Sequence, residues 1–135
     1  MIITIYEKNT GKIKRSITLP EFMINVQIQE NETYIETDIH YFNKNHYINI
    51  FSEIPVLTIK PEIKIEFDKE QIIANDIDMT TIKNLPNDCI IMINDISYNV
   101  IDNIFQLTVS LPGIYNIKII KFPYITKEVQ IEGIL

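Results

Sequence analysis

The stretch 104–131, IFQLTVSLPGIYNIKIIKFPYITKEVQI, decides the fold class. Phe105, Leu107, Val109 and Leu111 alternate with Gln106, Thr108 and Ser110. A period of two places the apolar set on one face of a strand and the polar set on the other. Pro112-Gly113 is a reversal signal, because proline presets φ and glycine accepts a positive φ without steric cost. Tyr115, Ile117 and Ile119 resume the alternation against Asn116 and Lys118. After Phe122-Pro123-Tyr124 a third run sets Ile125, Val129 and Ile131 against Thr126, Glu128 and Gln130. The simplest expectation is three antiparallel strands with one wet face, with Pro112, Gly113 and Pro123 as the structural turn residues.

The same periodicity runs upstream. Ile63, Ile65 and Phe67 alternate with Glu62, Lys64 and Glu66, and short runs follow at 71–74 and 80–85. Cys89 to Ile93 is apolar on both faces, as in the centre of a sandwich. Asn94-Asp95 is a tight turn into Ile96 to Val100. About seven strands from residue 62 onward, with turn signals every 8–12 residues, predict an immunoglobulin-like β-sandwich over 62–135. The cysteine pair and tryptophan of antibody domains are missing, so only the architecture is expected.

Upstream of this, Ile2 to Tyr6 and Lys12 to Leu19 predict a hairpin around Asn9 and Gly11. Residues 21–29 read as a short helical turn with Phe22 and Val26 on one face, or as a strand carrying Ile24, Val26 and Ile28. Thr33 to Thr37 and Tyr47 to Ile50 are expected to pair as a second hairpin. Pro55 and Pro61 bracket a segment read as a linker. The expected organisation is an N-terminal β-hairpin lobe over 1–54, a linker over 55–61 and the sandwich over 62–135. The fold class is all-β.

Composition agrees. Isoleucine, stiff and branched at Cβ, is about a quarter of the 135 residues. A chain of this length can bury roughly two-thirds of its unfolded surface without disulfides or metal. The net charge is −6, with one arginine and no basic run, which argues against a nucleic-acid partner. The opening residues lack the pattern of a secretion signal, and no apolar run of about 18 residues predicts a membrane span.

Candidate chemistry is sparse. His40 and His46, six residues apart, could be joined with Asp38 as metal ligands, but that spacing has no regular-structure logic and a solvated loop is the plainer reading. Asn75-Asp76-Ile77-Asp78 places two carboxylates at i and i+2, but lacks the other ligands of a calcium loop and reads as an Asx turn. Cys89 within CIIMI reads as a buried, inert thiol. The three glycines are isolated, and no nucleophile or phosphate-loop motif is present. No enzyme and no cofactor are expected. Tyr34, Tyr41, Phe42, Tyr47 and Phe51 could anchor a sugar or a protein, or simply fill the core of the small lobe. Lys12, Lys14 and Arg15 could meet an acidic neighbour, or form a solvated edge.

Three stretches resemble one family. IITIYEKNTGKIKRSITLPEFMINVQ with ETYIETDI and HYIN resembles the start of small phage proteins encoded near tail and tail-fibre genes. TTIKNLPNDCIIMINDISYNV is similar to their central hairpin, and LPGIYNIKIIKFPYITKEVQIE to their ending. The chain departs from the pattern at Asn94-Asp95-Ile96, where an Asp-Gly turn is usual, and at Phe122, where tryptophan is frequent. The proline-rich middle segment is reduced to Pro55 and Pro61. The resemblance implies a virion structural protein of the tail or fibre attachment, located in the virion and without catalysis. Its partners would be other virion proteins, with homo-oligomers in the particle, and Lys12, Lys14, Arg15, Tyr41, Phe42 and Tyr47 are the candidate interface. The alternative is a receptor- or glycan-binding module using Tyr41, Phe42 and Tyr47.

Overall fold

The computed structural model describes residues 1–135, which form two compact units, Met1–Lys60 and Pro61–Leu135. Strands are the main regular structure of both, with one short helical segment, so the chain is all-β with several sheets.

In the first unit, β1 (Ile2–Glu7) is flanked by β2 (Ile13–Thr18) and β3 (Glu32–Thr37), both antiparallel to it. Between β2 and β3 lie a 3-10 turn, Glu21–Met23, and a single helical turn α1 (Ile24–Gln27). β4 (His46–Asn49) pairs with β5 (Val56–Ile59) as a separate ribbon. β1 is buried on both faces because each face meets a different neighbour. Ile3 and Ile5 pack with Leu19 and Ile24. Tyr6 packs on the other side with Ile13 and Ile48. Thr4, fully buried, satisfies its hydroxyl against Ser16 at 3.2 Å and Thr37 at 3.0 Å, a cross-strand ladder that keeps a polar group in the middle of the sheet.

Gly11 joins the hairpin to the ribbon. Its φ is +83°, its carbonyl accepts Ile48 N–H at 2.8 Å, and a Cβ there would stand 1.8 Å from the Ile48 carbonyl oxygen. Only glycine fits so close an approach.

Three expectations for this unit are corrected. The strand at 33–37 does not pair with 47–50; it pairs with β1, and β4 pairs with β5. Residues 55–61 are therefore not a linker throughout, since they carry β5; Pro55 and Pro61 fall just outside its ladder, where a missing N–H costs nothing. The helical turn forms as expected, but it buries Ile24 and leaves Phe22 and Val26 exposed at 81% and 72%.

In the second unit, β6 (Glu66–Phe67), β7 (Gln71–Ile73), β8 (Thr80–Lys83), β9 (Cys89–Ile93), β10 (Ile96–Val100), β11 (Phe105–Leu107), β12 (Gly113–Ile120) and β13 (Lys127–Ile134) form two sheets. One has the order β10-β9-β12-β13-β7, with β13 and β7 parallel and the other pairs antiparallel. The other has the order β11-β8-β6. Ile82 and Leu107 from the small sheet share one buried cluster with Ile72, Ile91, Ile93, Ile117, Ile119 and Ile131 from the large one. Each fully buried isoleucine contributes about 1.5–3 kcal/mol relative to exposure.

The run at 105–111 is corrected here. Only Phe105–Leu107 is a strand, and it pairs with β8 rather than with β12. Pro112-Gly113 is thus a corner between sheets, not the tip of a hairpin. The run at 62–67 is likewise shorter than its alternation suggests: only Glu66–Phe67 is strand, with an isolated bridge from Glu62 to Ile125. The corner is tied by the Tyr115 hydroxyl, which donates to the Leu111 carbonyl at 2.6 Å. Gly133 passes beneath it, where a Cβ would lie 3.1 Å from the same carbonyl oxygen and 3.0 Å from Val109 Cγ2. The Phe122-Pro123 bond is cis and leads toward β13.

Candidate functional site

The candidate cations do not act alike. Lys12 follows the turn and is exposed. Lys14 reaches the Glu7 carboxylate at 3.5 Å. Arg15 donates to both carboxylate oxygens of Glu32 at 2.9 Å and also to the Gln27 carbonyl. The Glu32 side chain is only 5% exposed and takes a further hydrogen bond from Gln29 N–H at 3.0 Å. Hydrogen bonding from Arg15 outweighs desolvation and holds the Glu32 carboxyl below the usual carboxylate range. Arg15 is therefore a structural clamp between β2, the end of α1 and β3, and is not free to meet a neighbour.

The aromatic group is also divided. Tyr41 packs against the Tyr6–Ile13–Ile48 cluster, meets the His46 ring edge-on at 4.9 Å and donates to Asp38 at 3.2 Å. Tyr47 is half-buried on β4 opposite Thr58. Phe42 is 65% exposed and Phe51 92%. The core of the unit is aliphatic apart from Tyr6, so the aromatic residues do not fill it; Tyr41 only borders it.

Phe22 and Val26 are expected together on one helical face, but their exposure, 81% and 72%, is what sequence reasoning missed. They stand four residues apart, Phe22 in the 3-10 turn and Val26 in α1. The signal was present as two interleaved i, i+4 pairs, Phe22/Val26 and Ile24/Ile28, of which only the branched aliphatic one packs on β1. Ile54 and Val56, at 73% and 48% exposure, add apolar surface near Phe51 in the chain.

The remaining candidates carry little chemistry. His40 Nε2 lies 3.0 Å from the Thr18 hydroxyl, while His46 meets Tyr41 edge-on. No three His, Cys, Asp or Glu side chains converge as a metal site would require. Asn75 Oδ1 accepts the N–H groups of Ile77 and Asp78 at 2.9 and 2.8 Å, an Asx turn. Asp78 is held by Lys69 at 2.6 Å and by Ile73 N–H at 2.8 Å. Cys89 is buried, and desolvation pushes its thiol up. On the outer face of the five-stranded sheet, Met92, Asn94, Asn116, Lys118, Glu128 and Gln130 line an open groove of about 740 Å³. Its polar groups are largely paired with one another: Gln130 donates to Asn116 at 2.8 Å, and Lys118 lies 3.7 Å from Glu128.

No helix is long and apolar enough to cross a membrane. No family model, curated protein or solved structure matches the chain.

Proposed function

We propose that this chain is a structural protein of a bacteriophage particle, in the tail or at the fibre attachment, working through protein–protein interfaces and not by catalysis. The observation that carries the reading is bare apolar surface: Phe22 in the 3-10 turn and Val26 in α1, and Phe51 and Ile54 in the loop before β5. Side chains of this size at such exposure favour a surface that is covered in use. The ordered resemblance along the sequence supports the same assignment. An immunoglobulin-like sandwich is the finer fold reading for residues 61–135. The strand orders support it: taking β6, β8, β9, β10, β11, β12 and β13 as A, B, C, C′, E, F and G gives sheets A-B-E and C′-C-F-G, with β7 added parallel to G. The Tyr115 hydroxyl bond at the start of β12 matches a tyrosine corner, and Ile82, Ile91 and Ile117 would replace the cysteine–tryptophan–cysteine pin.

The test is particle association. A tagged chain expressed during infection by the phage that encodes it is expected to band with purified particles, and Phe22→Ser with Phe51→Ser to release it while the fold is kept. A wild-type chain that stays wholly in the soluble fraction overturns the proposal. The glycan-binding alternative has Phe42 as its one openly exposed anchor among Tyr41, Phe42 and Tyr47. It predicts a glycan-array signal that Phe42→Ala abolishes.

A further inference from the structure

We propose that β10 is a homotypic docking edge, at which two copies of this chain pair antiparallel about a twofold axis through Tyr98. Because β10 ends the five-stranded sheet, one side of its backbone has no ladder partner. Folded proteins guard such edges with charges, proline, bulges or very short strands. The other edges are shorter or carry charge. β7, β6 and β11 are three, two and three residues long; β4 and β5 have four residues each, with Pro55 just before β5 and Ile48 of β4 bonded to Gly11; β2 carries Lys14 and Arg15 and shifts register against β1, and β3 carries Glu32 and Glu36. β10 has five residues, Ile-Ser-Tyr-Asn-Val, with no charge, no proline and unbroken register against β9.

Side-chain exposure points the same way. Ile96 and Tyr98 sit opposite the buried Ile93 and Ile91 and share their inward face, yet they are 59% and 42% exposed. Ile101, just past the strand, is 74% exposed. From the small sheet the Phe105 ring meets Tyr98, 5.9 Å between centroids, and Ile96 and Tyr98 still remain exposed.

β10 itself carries no charge to repel a second copy. The chain carries a net −6, so two copies meeting at an average surface repel. In the register centred on Tyr98, Ile96 faces Val100, Tyr98 faces Tyr98 and Ser97 faces Asn99. The apolar pairs then fall on one face and the polar pairs on the other. The flanking acids do not meet: Asp95 comes opposite Ile101, and Asp102 opposite Asn94. The contact is isologous and closes as a dimer, joining two five-stranded sheets into one of ten. It rests on the reading of the chain as an assembling protein, but it is tested on the purified chain alone.

The test uses full-length protein. Directly opposed residues of an antiparallel pair have Cα atoms about 4.5–5.5 Å apart, within disulfide range. Tyr98→Cys under mild oxidation is expected to give a covalent dimer, while wild type, whose one thiol is the buried Cys89, does not. Light scattering is expected to give wild type twice the mass of one chain at tens of micromolar, and Asn99→Lys, an exposed change whose fold is checked by circular dichroism, to weaken the dimer roughly tenfold or more. A wild-type monomer, or a dimer indifferent to Asn99→Lys and cross-linked instead through Lys14→Cys on β2, overturns the proposal. Either result leaves particle association to its own test.

Discussion

The Arg15 guanidinium holds both carboxylate oxygens of Glu32 at 2.9 Å, reaching over β1, the strand that separates them. Arg15 pairs with Ile5 in the register and Glu32 with Glu7, so both side chains rise on the β1 face that packs against α1. The pair closes the open end of that small core. Glu32→Gln removes one charge of a mostly buried bidentate pair and is expected to cost about 2–4 kcal/mol. The pH sign follows from the lowered carboxyl. Stability from this pair is fully present above the unfolded value near 4.5 and is lost as pH falls through the folded one. Glu7, Asp68 and Asp78 are lowered too, so wild type loses stability in acid from several groups. The difference between wild type and Glu32→Gln in urea melts, followed from pH 7 to pH 3, is expected to shrink toward the acid end.

Gly11→Ala meets both a left-handed φ of +83° and a backbone oxygen 1.8 Å from the new Cβ. Neither can relax without breaking the bond from Ile48 N–H. A loss of roughly 3 kcal/mol or more is expected, with tyrosine fluorescence and hydrogen exchange reporting opening of the β4–β5 ribbon first.

These two sites show what the sequence reveals and what it hides. The hairpin of β1 and β2 was legible because alternation and the turn signal of Asn9 and Gly11 agree. The Asn94-Asp95 and Asn75 turns were legible because their side chains and permitted dihedrals act locally. Strand neighbours were not. Alternation tells which residues share a face but not which strand lies alongside, so the sequence suggests β3 with β4 and β11 with β12, where the structure pairs β3 with β1 and β11 with β8. Arg15 was legible as a cation, yet its partner lies 17 residues away in the chain and no local pattern joins them. The bare Phe22 was hidden for a related reason: an aromatic residue at helical spacing normally signals core, and only the assembled sheet reveals that Ile24 has taken that place.

Tyr115→Phe deletes one hydroxyl and changes nothing else at the corner between the two sheets. The lost bond to Leu111 is expected to cost about 1–1.5 kcal/mol, read as a lower urea midpoint with an unchanged m-value. An effect below a few tenths would mean that Gly133 and Pro112 fix the corner unaided.

The β9–β10 turn stores strain that can be released. Asn94 and Asp95 both hold positive φ, 46° and 73°, as a two-residue type I′ turn demands. Asn94 has a reason to remain: its side-chain oxygen accepts Asn116 N–H at 3.1 Å, and its own N–H donates to the Asn116 carbonyl at 3.2 Å. Asp95 has no such bond to lose, and its side chain is exposed. Glycine is at ease where aspartate is strained, although it also enlarges the freedom of the unfolded chain. The strain term is the larger at a fixed left-handed position, so Asp95→Gly is expected to stabilise by about 0.5–1 kcal/mol. Equilibrium urea unfolding checks the magnitude.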